Sequence, residues 1–319
     1  MGTVSNVFNR PDRVAAETRR LVDEAVTALR YVRNESARQL RMGQSRTIGL
    51  IVPDVANPFF TDVARGVEDV TSEAGVLLIV CNSDGQADKE SRYLTMMAEQ
   101  HVLGVLHVPA GPSTAAVRQL NDRDIPMVLL DYKGSSKRQC SVSVNDVVGG
   151  ELAIGHLVGT GHRRIAFVGS GHPARQVDDR LAGARNALIA AGRSVDELQL
   201  LPTPSLNVDG GIAAARSLLA LPRSKRPTAV ACVNDLLAIG MLQELLRAGA
   251  RVPDDVALVG YDDITFAGAS AVPLSSIRQP RNQLGRRAAE LLLDEAANDE
   301  HRHARVIFQP ELIVRASSR

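Results

Sequence analysis

The sequence contains no tryptophan, and aromatic residues of all kinds make up 3% of its 319 positions. Large aromatic stacking platforms are therefore not expected. Its three cysteines, Cys81, Cys140 and Cys232, are far apart and odd in number. They form neither a CxxC pair nor a disulfide framework, and they read as reduced thiols. No apolar run approaches the roughly 18 residues needed to span a bilayer, and the opening MGTVSNVFNRPDR lacks a signal-peptide core. A charge excess of either sign is missing too: 37 Lys and Arg stand against 36 Asp and Glu, a net +1. That balance excludes a polybasic coat protein, an acidic tail protein and a chain held open by its own charge. What is present is 45% apolar and 23% charged residues, ordinary for a soluble cytoplasmic protein. The length suits two domains with an appendage.

The balance hides an uneven distribution. Residues 1–46 hold nine arginines against five acidic residues, a surplus of four positive charges, so the other 273 residues carry −3. Arginine concentrated in a short segment is what a phosphate backbone attracts; a solvated helical face would look the same by charge alone.

From Thr47 onward, short β-rich runs alternate with helical stretches. TIGLIVPD (47–54) reads as a buried strand and PFFTDVARGVEDVTSEAG (58–75) as a helix. The alternation continues to IPMVLLDY, restarts after Cys140, and runs through RRIAFVGS and TAVACVND to ALVGYDDI. Continuous apolar strands between amphipathic helices mean parallel strands covered on both faces. The expected fold is α/β, two doubly wound parallel-sheet lobes. NQLGRRAAELLLDEAAN (282–298) reads as a helix and ARVIFQPELIVRASS (304–318) as a closing strand pair. Ahead of the body, VAAETRRLVDEAVTALRYV (14–32) reads as a helix with no strand before it, NESARQL (34–40) as a short helix and RMGQSR (41–46) as a linker. The expected boundaries are 1–46 for the appendage, 47–146 with 277–303 for lobe one, and 147–276 with 304–319 for lobe two.

Enzyme motifs are missing. There is no GxGxxG after a strand and no GxxxxGK[ST], and Gly169-Ser170-Gly171 is not a nucleophile elbow. The seven histidines show no metal-ligand spacing. His301 and His303 lie in a charged stretch and read as solvated, while His162 reads as a helix-end cap. The expectation is no catalytic residue, no metal and no cofactor.

Polar residues after strands are more informative, because open α/β sheets bind ligands beyond the carboxyl ends of their strands. Those positions hold Asp54 with Phe59 and Phe60, Asn145-Asp146, Arg180, Asn234-Asp235 and Asp262-Asp263. Amides, carboxylates and one arginine beside an aromatic pair suit a polyol, sugar or nucleoside-like molecule. Helix capping explains Asp54 and Asp235 equally well. In NESARQL, an apolar Leu40 flanked by Arg38 and Arg41 suits wedging into a minor groove; packing against the body is the alternative.

Taken in order, TVSNVFN (3–9), N34-x-x-A37-R38-x-L40, DVANPFF, GHRRIAFVG, DRLAG and VGYDD with LSSIRQP resemble the LacI/GalR family of bacterial transcription regulators along essentially the whole chain. The resemblance implies a periplasmic-binding-protein-like body behind a partial helix-turn-helix headpiece and hinge helix. It implies a homodimer on a pseudopalindromic operator, associated with the nucleoid and controlled by a small-molecule effector, with no membrane partner. Thr3, Val4, Ser5 and Asn6 would face bases or phosphates. Tyr31 and Arg38 would seat headpiece and hinge, and Leu40 would pry open the minor groove. Phe59 and Phe60 would line the effector cleft, with Asp146, Arg180, Asn234, Asp262 and Gln279 as polar contacts.

Three departures accompany the resemblance. The sequence opens inside the recognition-helix stretch, so a misassigned start or a truncated sensor is expected. Asn145-Asp146 inverts the family's usual order, leaving open which of the two reaches the effector. No leucine heptad tail follows residue 318, which favours a dimer. A transport-system sugar-binding protein shares the bilobed fold, but the Arg-rich helical segment stands where a signal peptide would be required.

Overall fold

The structure, a computed structural model, describes residues 3–31, 45–111, 115–132, 134 and 138–319. The chain divides into two compact units, residues 1–45 and 46–319.

The first unit holds α1 (Thr3–Asn9) and α2 (Ala16–Ala28). Val7 is buried, whereas α2 buries none of its residues, and Leu21 within it and Leu29 at its C-cap are exposed. The Arg20 guanidinium is held between Glu17 and Glu24 at 2.7 and 2.6 Å. The expected hinge residues Arg38 and Leu40 lie outside the described residues, as does the expected helix 34–40.

The second unit opens with β1 (Thr47–Val52), α3 (Pro58–Glu73), β2 (Leu77–Asn82), α4 (Ala87–Glu99), β3 (Gly104–His107), α5 (Ala115–Asn121), β4 (Met127–Leu130) and β5 (Ser141–Val144). It continues with α6 (Asp146–Gly159), β6 (Ile165–Ser170), α7 (Arg175–Ala190), β7 (Leu198–Pro202), α8 (Val208–Ala220), β8 (Ala229–Cys232), α9 (Asp235–Arg247), β9 (Ala257–Asp262), α10 (Thr265–Gly268), β10 (Ser275–Arg278), α11 (Arg281–Ala297), β11 (Arg305–Phe308) and β12 (Glu311–Ile313). Two six-stranded sheets result, ordered β11-β5-β4-β3-β1-β2 and β12-β10-β9-β8-β6-β7. The first is wholly parallel, and in the second only β12 runs antiparallel.

Parallel strands need helical crossovers, and those helices cover both faces. Strand β1 shows the consequence residue by residue. Ile48, Leu50 and Val52 enter one apolar cluster while Ile51 enters a second, with Leu94, Met97 and Leu120. Each such side chain removed from water stabilises the fold by about 1.5–3 kcal/mol.

Helices α6 and α7 approach closely enough to require glycine at the crossing. A Cβ on Gly150 would fall 2.0 Å from the Arg180 carbonyl oxygen, and one on Gly183 would fall 1.8 Å from that of Val147.

The expected lobe boundaries change at the far end. Residues 304–318 are not a strand pair: β11 joins the first sheet beside β5, and β12 joins the second beside β10. Strand β10, expected to straddle the lobes at 276/277, lies wholly in the second sheet. Its SSIR sequence carries little hydropathy signal, yet Ser275, Ser276 and Ile277 are fully buried. The chain thus passes between sheets three times, at Asn145, at 279–280 and at 309–310. Among the described residues no helix is long and apolar enough to cross a membrane.

Candidate effector cleft

Both sheets place β1 and β6 between two neighbours whose connections run in opposite directions, the switch point where doubly wound sheets leave a crevice. The carboxyl ends of β1, β4, β6, β8, β9 and β10 open onto one cleft of about 480 Å³. Phe59, Phe60, Arg180, Asn234, Asp262 and Gln279 line it. Asp131, His172 and Gln176 line it as well.

Phe59 and Phe60 open α3 behind the N-cap Asn57, whose side chain accepts the Phe59 N–H at 3.0 Å. The two rings meet edge to face with centroids 4.9 Å apart, and both are buried. They form an apolar wall at the cleft.

Arg180 lies in the second turn of α7, not at a strand end. Its Nε donates to Asp146 Oδ1 at 2.7 Å and its Nη1 to the Val233 carbonyl oxygen at 2.5 Å. The guanidinium lies 3.6 Å above the Tyr261 ring centroid, and the Tyr261 hydroxyl donates to the same Asp146 oxygen at 3.0 Å. Nη2 makes no hydrogen bond among the described residues, so one edge of the fork is available at the cleft. The Asp146 carboxylate anchors Arg180 and lines a smaller adjoining pocket together with Asp131 and Gln176, while Asn145 accepts the Val148 N–H as the N-cap of α6. The inverted pair therefore supplies a cap and an anchor.

Asn234 caps α9 by accepting the Leu237 N–H at 2.9 Å, and donates to the Leu206 carbonyl oxygen at 2.7 Å. Asp235 turns away into the core, where it accepts from the Ser276 hydroxyl and the Ile264 N–H. Asp54 bonds its own turn through the Ala56 N–H at 2.9 Å. His162, expected as a cap, closes its helix through its backbone N–H to Leu157 and turns its ring to Thr228.

Asp262 and Asp131 occupy backbone conformations rare for side-chain-bearing residues, at φ 108° and 50°. Such strain persists where the surroundings hold it, commonly at binding sites. Arg281 donates to the carbonyl oxygens of Asp262 and Asp263 and pairs with Asp62 at 3.0 Å, bracing the turn. Gln279 donates to Asp262 Oδ1 at 2.7 Å. Gln176 reaches across from α7 to donate to the Asp131 carbonyl oxygen at 2.5 Å and to Oδ2 at 3.2 Å.

Among the described residues, three buried polar atoms on this lining have no hydrogen-bond partner: Asp131 Oδ1, Gln279 Oε1 and His172 Nδ1. Burial, with the neighbouring Asp146 charge, pushes the Asp131 carboxyl up to about 8. Burial likewise raises the Asp262 carboxyl to about 6, against the pull of Arg180. The His172 ring is shifted below the usual histidine range by burial. A cleft of raised carboxyls, unpaired polar atoms and one guanidinium edge suits a small polar molecule whose groups both donate and accept, such as hydroxyls.

Known proteins place this architecture. Residues 154–318 match the family model of the periplasmic binding protein-like domain. The HTH-type transcriptional repressor PurR of Vibrio campbellii is 36% identical over 315 residues, covering 98% of this chain and 93% of its own length. The chain belongs to the LacI family of transcriptional regulators. Another LacI-family relative, PurR of Aliivibrio fischeri, is 33% identical over 99% of this chain and 94% of its own. A LacI family transcriptional regulator from Enterococcus faecium, solved with bound ribose, superposes with a TM-score of 0.79 at 33% identity, covering 85% of this chain and 98% of that one. The transcriptional regulator CelR, in complex with cellobiose, gives 0.75 at 32% identity over 99% of this chain and 95% of that one.

Thr3, Val4 and Asn6 are exposed on α1, Ser5 is half-buried, and Tyr31 is exposed beyond α2.

Proposed function

We propose that this LacI-family chain is a cytoplasmic repressor that binds a pseudopalindromic operator as a homodimer and answers to a sugar- or nucleoside-like effector in its cleft. The observation that carries the effector half is the set of orphaned atoms, Asp131 Oδ1, Gln279 Oε1 and His172 Nδ1, on one lining with Arg180. A ligand presenting several hydroxyl groups, which donate and accept, pairs atoms that otherwise stay desolvated and unpaired. The ribose and cellobiose of the two solved relatives are molecules of that kind. Phe59 and Phe60 give the ring of such a ligand an apolar wall.

The DNA half rests on the relatives and on the exposed Thr3, Val4 and Asn6 of α1, with Ser5, Tyr31, Arg38 and Leu40 completing the proposed contacts. Arg180, Asn234, Asp262 and Gln279 are the proposed effector contacts, with Asp146 acting through Arg180. Because Gln176 and Asp131 come from opposite lobes, a ligand that engages Asp131 biases the closure of one lobe on the other.

Thermal-shift screening against pentoses, disaccharides and purines, joined to gel-shift titration on the DNA upstream of its own gene, tests both halves. We expect one chemical class to raise Tm and to alter a sequence-specific shift. Ligand stabilisation without any sequence-specific shift would reduce the reading to a sensor. Absence of both would overturn it.

A further inference from the structure

The geometry points to a four-ligand zinc site at the edge of the first sheet, built by Cys140, Glu295, His301 and His303. Cys140 immediately precedes β5, Glu295 lies in the last turn of α11, and the histidines stand on the segment leading into β11. One ligand atom from each residue lies within 4.8 Å of every other. Cys140 Sγ is 3.2 Å from His301 Nε2 and 3.9 Å from His303 Nδ1. Glu295 Oε2 is 3.8 Å from each of those two nitrogens. Tetrahedral zinc with bonds of about 2.0–2.3 Å separates its ligand atoms by about 3.3–3.8 Å, so small side-chain rotations close the set.

Independent features prepare these groups for a cation. His301 Nδ1 lies 2.6 Å from Asp294 Oδ2. A proton shared there leaves the Nε2 lone pair facing Cys140, the carboxylate–histidine arrangement that orients zinc-binding imidazoles. Glu295 Oε2 is buried and has no hydrogen-bond partner among the described residues. The Ala304 N–H donates to Cys140 Sγ at 3.3 Å, as it would to a thiolate. One sulfur, two nitrogens and one carboxylate oxygen form a donor set that zinc accepts, and a thiolate with a carboxylate neutralises the ion. All four positions come from protein, the mark of a closed structural site. The bound ion would join the start of β5, the end of α11 and the start of β11. The reading of His301 as solvated is corrected, since its side chain is 5% exposed and its neighbours are ligand-type atoms, whereas His303 is exposed.

Chelator-treated, tag-free full-length protein titrated with zinc chloride in a calorimeter tests the site. We expect one equivalent per chain, a higher Tm on loading, and, with cobalt(II) as probe, a sulfur-to-cobalt charge-transfer band that Cys140→Ser abolishes. Asp294→Asn is expected to weaken zinc binding about 10–100-fold. Because Cys140 is fully buried and its variant can fail to fold, His303→Ala at a more exposed position is the second test, with a metal-free Tm near that of the parent and a larger loss of affinity. Absence of stoichiometric binding overturns the proposal. So does zinc affinity unchanged in His303→Ala, or a cobalt spectrum without a sulfur band.

Discussion

The Arg180 guanidinium lies over the Tyr261 ring, 3.6 Å from its centroid, and both groups bond the same oxygen of Asp146. The arginine is thus fixed on one face and one edge. Arg180→Lys keeps the charge but loses the planar fork and the stacking, so ligand-induced stabilisation in thermal-shift assays should disappear. Arg180→Ala should also destabilise the free protein by about 3–5 kcal/mol, because Asp146 is left buried without its partner. Urea denaturation checks this; full ligand response in Arg180→Ala would remove Arg180 from the cleft assignment.

Gly149 controls the same cluster from beneath. A Cβ there would fall 2.0 Å from the Tyr261 hydroxyl oxygen. Gly149→Ala should cost about 1–3 kcal/mol, as overpacked cores do, and should weaken effector binding by tilting Tyr261 away from Arg180. Tyr261→Phe removes the nearest clashing atom but keeps Cζ and Cε2 at 2.6 and 2.7 Å, so the double variant should be only partly relieved relative to the sum of the two single changes. Additive free energies in denaturation would show that the clash is relieved elsewhere.

The raised carboxyls give the ligand-free protein a pH signature. A folded-state pKa above the unfolded value means that the native state holds the proton longer, so this stability is present below about pH 4 and lost as pH rises. Asp262 contributes a decline through about pH 6 and Asp131 a further one through about pH 8. Asp131→Asn keeps the shape, and asparagine tolerates the φ of 50°. It should raise Tm over the parent at pH 8.5 and much less at pH 5, measured by scanning calorimetry. An equal gain at both pH values would contradict the shifted titration.

On the DNA side, Asn6→Ala should lower operator affinity in gel shifts by about 1–3 kcal/mol if its amide reads a base edge, and should relax discrimination at one base pair. Tyr31→Phe should weaken specific and nonspecific DNA alike. Loss of affinity in Asn6→Ala that is uniform across sequences would assign it to phosphate instead.

The alternation of apolar runs and amphipathic helices made both lobes legible, because strands covered on two faces cannot hide their hydropathy. Ser275 and Ser276 escaped it, since a strand may be buried through hydroxyls bonded to Asp235, Arg315 and Ser318 as well as through methyl groups. Phe59, Asn234 and Asp262 stand out as candidates because strand ends are where such sheets bind. Asp131 sits at a strand end too, directly after MVLL, and that same rule reaches it. Gln176 and His172 carry no such mark; their places depend on which helix start faces which strand. Cys140 and His301 are 161 positions apart, and only the pairing of β5 with β11 brings them together.

The passage of residues 305–313 from one sheet to the other bears on how the protein is made. Strand β11 completes the first sheet and β12 the second, while Ser317 fastens the second through bonds to Leu258 and Ser275. Neither half can finish its sheet until these residues have left the ribosome. A nascent chain arrested near residue 300 therefore carries two open sheet edges, at β5 and β10, each a template for pairing with another unfinished chain.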